Sequence, residues 1–180
     1  MNMKKQLITL ALTILCIGTT FAQISIDSAL SKFHYNADKK ILFERIQESD
    51  LSKAEMYKNA KEWVAINYRD YKKVIDLDDE VNGVIVFKGV SGINDGLLVH
   101  KFSYTVEMTI KDKKARLRLF DIFNLTYAGY PVPIETTLQV LKDKSKGNPK
   151  LNGEFVDQQY DLFSNLLSEI AKIIIIKDDF

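Results

Sequence analysis

Phe102-Ser103-Tyr104-Thr105-Val106-Glu107-Met108-Thr109-Ile110 alternates apolar and polar side chains without a break. Successive residues of an extended strand point to opposite sides. One side of this strand is therefore Phe102, Tyr104, Val106, Met108 and Ile110, and the other is Ser103, Thr105, Glu107 and Thr109. Lys111-Asp112-Lys113 turns the chain, and a second alternating run follows in which Ala115, Leu117 and Leu119 interleave with Lys114, Arg116 and Arg118, continuing toward Tyr127. Two such runs joined by a tight turn predict an antiparallel pair with one greasy side and one hydrophilic side.

Upstream, Val74-Ile75-Asp76-Leu77 and Gly83-Val84-Ile85-Val86-Phe87 flank an acidic segment ending in Asn82-Gly83, a dipeptide that tolerates positive φ, which predicts a further hairpin. The glycine and serine cluster Gly89, Ser91, Gly92 and Gly96 reads as a loop between this hairpin and the long strand. Before the hairpin, Ser52 and Glu55 form an S-x-x-E capping box with Leu51 and Met56 placed as its hydrophobic staple. The helix it starts carries Met56, Tyr57, Ala60, Trp63, Val64 and Tyr68 on one stripe, with Lys58, Lys61, Glu62 and Arg69 toward water. Ile41 to Ile46 reads as a first strand.

Residues 128–152 hold all three prolines together with Gly129 and Gly147, and are expected to be mostly loop, with room for a short helix over Glu135 to Lys142. An amphipathic helix follows from about Glu154, burying Val156, Tyr160, Phe163, Leu166, Leu167, Ile170 and Ile174. The expected fold class is α+β, in the order strand, helix, four strands, helix, with both helices on the apolar side of one antiparallel sheet.

The first residues read as a secretory leader: Lys4 and Lys5, an apolar run from Leu7 to Ile17, then small Thr20 and Ala22, which places cleavage after Ala22. The apolar run is shorter than the ~20 residues of a spanning helix. Cys16 is a poor lipidation site because the residue before it is the bulky Leu15. The expected division is a signal peptide over 1–22, a lead-in over 23–40 and one domain over 41–180, exported to the periplasm or beyond. Removing the leader takes Lys4, Lys5 and Cys16 with it and leaves 23 basic against 24 acidic side chains and no cysteine. That composition excludes disulfides, thiol nucleophiles and cysteine-ligated zinc, and it lacks the cationic excess that phosphate binding requires, so no nucleic-acid partner is expected.

Ser52-Lys53-Ala54-Glu55-Met56-Tyr57-Lys58-Asn59-Ala60-Lys61-Glu62-Trp63, the Val74-to-Asp79 stretch with Gly83, and Phe102-to-Val106 with Ile110-Lys111-Asp112 resemble a family of exported bacterial proteins known as a domain of unknown function with a TATA-binding-protein-like (TBP-like) fold. The resemblance spans roughly Tyr35 to Tyr127. It implies a β-α-β4-α order, and it carries no catalytic residue with it.

Candidate chemistry is sparse. The acidic turn Asp76 to Gly83 lacks calcium-loop spacing, since the twelfth position from Asp78 is Gly89 instead of Glu. His34 and His100 are remote from each other in sequence and make no zinc triad. Glu107 with Asp121 is the sole carboxylate pair that adjacent strands offer. No cofactor or metal is expected. The reading is a non-catalytic binding or interaction module of the cell envelope, contacting an envelope protein or surface component through the hydrophilic sheet side. The candidate binding residues are Lys101, Thr105, Glu107, Lys114, Arg116 and Arg118, joined by Tyr130 in the proline-containing segment. A hydrolase-like enzyme and a small-ligand carrier are the alternatives.

Overall fold

The computed structural model describes residues 24–94, 96, 98–126, 130–146 and 153–177. The leader expected over 1–22 lies outside them, as do Tyr127 and residues 147–152 of the proline-containing segment. In chain order the elements are α1 (Ile26–Leu30), β1 (Phe43–Glu48), α2 (Lys53–Asn67), a single turn α3 (Tyr71–Val74), β2 (Ile75–Asp79), β3 (Val84–Asn94), β4 (Val99–Lys111), β5 (Lys114–Leu125), β6 (Pro131–Pro133), α4 (Ile134–Ser145) and α5 (Gly153–Ile173).

The strands form one antiparallel sheet in the order β1-β5-β4-β3-β2, with β6 added to the end of β5 beyond β1. The expected order of strand, helix, four strands and helix is present. The alternation in β4 sorts its residues as predicted: Phe102, Val106, Met108 and Ile110 are fully buried and Tyr104 nearly so, as are Ala115, Leu117 and Leu119 in β5. Helices α2 and α5 lie on that side, and Phe163 of α5 meets the rings of Phe43, Phe102 and Tyr104 at centroid distances of 5.6, 5.8 and 6.0 Å.

Helix α2 begins where its capping box requires. Ser52 Oγ accepts from the Glu55 backbone N–H at 3.3 Å, and Glu55 Oε2 accepts from the Ser52 N–H at 2.8 Å. The turn of the β4–β5 hairpin adds to this cap, since Asp112 Oδ1 accepts from the Lys53 N–H at 2.9 Å. The predicted stripe from Met56 to Val64 is buried, and Asn59 joins it, donating to the carbonyls of Ile174 and Ile176 just past the end of α5. That bond satisfies carbonyls that a helix end otherwise leaves unpartnered.

Three expectations need correction. Most of the glycine cluster is strand, because β3 runs on through Gly89, Ser91 and Gly92, each paired with β4, while Gly96 lies in the connection as expected. A Cβ on Gly89 would sit 2.5 Å from the Tyr104 ring and 2.6 Å from the Tyr68 hydroxyl. The glycine is there so that two tyrosines can cross the strand closely. The first strand starts two residues later than expected, at Phe43, with Ile41 making only an isolated bridge to Tyr35. Finally, the segment read mostly as loop supplies β6, and the short helix allowed over 135–142 is present as the longer, three-turn α4, whose Ile134 and Leu138 enter the core. Proline suits both places, as an edge strand donates nothing outward and a helix start needs no N–H. The segment before β1 also reaches the core through Ile26, Ala29 and Phe33.

Candidate functional site

Among the described residues, no element covers the side of the sheet away from the helices. Register fixes which residues share it. In the central row, Glu44 of β1, Arg118 of β5, Glu107 of β4, Val86 of β3 and Leu77 of β2 stand side by side. The next row toward the β4–β5 turn is Ile46, Arg116, Thr109, Val84 and Asp79.

At the centre of the face Glu107 is pinned. Arg118 donates to its Oε1 through both Nε, at 3.2 Å, and Nη2, and Thr109 Oγ1 donates to the same oxygen at 3.2 Å. Arg116 stands off at 3.9 Å with 43% of its side chain exposed. The face thus presents one engaged guanidinium and one nearly free one instead of an open basic patch.

Of the other candidate residues, Lys114 and Lys101 lie on the same face at opposite ends of the β4–β5 ladder. Thr105 is 7% exposed and contributes little surface. Tyr130 is 74% exposed just before β6, held by its carbonyl, which accepts from Thr126 Oγ1 at 2.9 Å.

The structure does not gather the proposed chemistry. His100 faces the helix side, its ring 4.6 Å from that of Phe155, whereas Glu107 faces the open side. Asp121 sits at a β-bulge with φ of 49°, where the ladder skips between Ser103 and Thr105. It borders an open groove of about 260 Å³ with Lys88, Ser103, Phe123 and Pro131, not the Glu107 cluster. Among the described residues no group of three or more histidine, cysteine or carboxylate side chains is placed to hold a metal ion, and no helix is long and apolar enough to cross a membrane.

The bulge has a consequence that strict alternation misses. It lets both Phe120 and Phe123 take the open side, paired with Thr105 and Ser103. Val90, Ile46 and Leu77 stand on the same side, 55%, 52% and 44% exposed. The face expected to be hydrophilic is therefore mixed, with a charged centre flanked by aliphatic and aromatic side chains.

The second carboxylate with a full set of donors lies on the helix side. Asp78 of β2 accepts from the Tyr57 hydroxyl at 2.6 Å and the Tyr71 hydroxyl at 3.0 Å, and pairs with Lys61 Nζ at 2.9 Å. Burial pushes its carboxyl up, but the hydrogen bonds from Tyr57, Lys61 and Tyr71 and the Lys61 charge outweigh that and hold it below the usual carboxylate range. Burial together with the bond to Asp78 pushes the Tyr71 phenol up to about 12. Every group in this cluster is engaged with another, so it fastens α2 and α3 to an edge strand.

A one-sided antiparallel sheet with its helices on the other side, lacking a gathered reactive centre among the described residues, defines an α+β domain of TBP-like architecture. Residues 43–124 match the model of the DUF4468 family, described as a domain of unknown function with a TBP-like fold. Two solved structures share the fold. A DUF4468 family protein from Bacteroides ovatus ATCC 8483 is 16% identical, covering 84% of this chain and 95% of its own, with a TM-score of 0.62. A TBP-like protein from Parabacteroides distasonis ATCC 8503 is 15% identical, covering 79% and 97%, with a TM-score of 0.63. A comparison with curated proteins finds no match.

Proposed function

We propose that this chain is a non-catalytic binding module exported to the cell envelope, which holds a protein partner on the open face of its sheet. The observation that carries the reading is the make-up of that face. Apolar side chains of β1, β2, β3 and β5 flank a charged centre in which the Arg116 guanidinium comes no nearer to Glu107 than 3.9 Å. Arginine and large apolar groups at the centre with lysines at the rim is the composition of protein interfaces. Arg116 is the group positioned to take a partner's carboxylate, with Ile46 directly beside it in the ladder. The leader sequence supports the location, since Thr20 and Ala22 fit a signal peptidase site.

A photo-crosslinking residue placed at Ile46 or Leu77 in the native cell tests this reading. The expected result is a discrete adduct that disappears when Arg116→Glu is added. Adducts that form as well from an exposed helix position such as Ile66, or that ignore the Arg116 change, would show that the open face is not the contact.

A further inference from the structure

Strand β3 outruns its outer neighbour. Pairing with β2 ends at Ile75↔Phe87, so from Lys88 to Asn94 the strand has a partner on the β4 side alone. Alternate residues of an antiparallel strand direct their N–H and C=O groups to opposite edges, and among the described residues no strand, helix or loop pairs with this outer edge.

Free edges invite pairing, and folded proteins guard them with charge, proline or bulges. The other edges here are guarded. β1 carries Glu44, Arg45 and Glu48, and β2 carries Asp76, Asp78 and Asp79. Gly89 to Asn94 contains no charged residue and no proline, and its Val90 is 55% exposed.

The free stretch is also complementary to itself. A second copy laid antiparallel along the whole of it, without displacing either β2, is centred on the midpoint, Ser91. In that register Gly89 faces the partner's Ile93 and Val90 faces the partner's Gly92. Each glycine is paired with a β-branched residue, so no two bulky side chains stand directly opposite each other. Lys88 faces the partner's Asn94, so the two Lys88 ammoniums lie at opposite ends. Shifting the centre to Val90 would set the partner's Ile93 against Phe87, a position β2 already holds.

We infer that two copies of this chain pair through residues 88–94 of β3 in this register, each partner strand lying in line with β2 and joining the two sheets into one. The inference is independent of the open-face reading, although it would place two open faces side by side on one surface.

Sedimentation of the purified chain across a concentration series tests the assembly. The expected result is a reversible dimer that Val90→Asp weakens about tenfold or more, with the circular dichroism of the fold unchanged. A chain that stays monomeric up to about 1 mM, or a dimer indifferent to Val90→Asp, overturns the inference. A monomer whose edge instead binds a foreign extended peptide overturns it too. The register has its own readout in a Cys16→Ser background. Ser91→Cys lies opposite itself and should form a disulfide-linked dimer under mild oxidation, whereas Val90→Cys lies opposite Gly92 and should not. Equal crosslinking at both positions rules the register out, whatever the assembly.

Discussion

The two sides of this sheet are built from the same strands and do opposite work. On the helix side every second residue of β4 from Phe102 to Ile110 is buried, and Asp78, the carboxylate at the sheet's edge, is tied to two tyrosines and a lysine that belong to the helices. On the open side Glu107 is tied only to neighbours within the sheet, while Ile46, Leu77 and Val90 stand in water. Fastening on one side joins layers, and on the other it merely arranges a surface. Stability should therefore sit almost wholly on the helix side.

The largest contrast should come from apolar truncation. Phe163 is fully buried against three rings, and Phe163→Ala should cost about 3–5 kcal/mol. Ile46→Ala on the open side should change stability by no more than about 0.5 kcal/mol. Urea unfolding of the two variants measures both, and comparable losses would mean that something covers the open face in the folded protein.

A smaller difference is expected from pH. The Asp78 carboxyl is held below its ordinary value, so it favours the folded state above the ordinary aspartate range, near pH 4, and that contribution fades as pH falls through the lowered folded value. Wild-type protein should lose an increment on the order of 1 kcal/mol across this acid window that Asp78→Asn, already without the charge, does not lose. Melting curves recorded from pH 5 down to pH 2 give the comparison. Parallel pH profiles for the two proteins would show that the tyrosine bonds do not depend on the charge.

How much of this was legible in the residues depends on whether local pattern decides the matter. The β4 alternation, the Ser52–Glu55 cap and the amphipathic α5 are local signals, and each is realised at the expected place. Gly89 misled because a glycine in a loop and a glycine beneath crossing tyrosines look alike until Tyr68 and Tyr104 are brought together across the fold. Phe120 and Phe123 did hold a signal. Two aromatics three apart cannot share a face of a regular strand, and only the bulge at Asp121 reconciles them. Asp78 faced the helices because of pairing with β3 that no single segment records. The open-face candidates were identifiable as a strip, but the neutralisation of Arg118 by Glu107 follows from cross-strand register, which the sequence specifies only through its turns.

The finest distinction between the two sides is electrostatic. Glu107→Gln and Asp78→Asn each remove one negative charge, so net charge alone predicts the same behaviour on a cation exchanger. Their surroundings predict otherwise. Neutralising Asp78 releases Lys61, a single ammonium beside the Tyr57 ring at the edge of the helix layer. Neutralising Glu107 releases Arg118 and leaves it next to Arg116 on an uncovered face, where two guanidiniums reinforce each other's field toward an approaching anion. Glu107→Gln should elute at higher salt than Asp78→Asn, while its stability moves by less than about 1 kcal/mol because the pair is partly exposed. Identical elution would mean that the open face has no more electrostatic reach than the rest of the surface, and with that Arg116 would lose its distinction as the point where a partner's carboxylate docks.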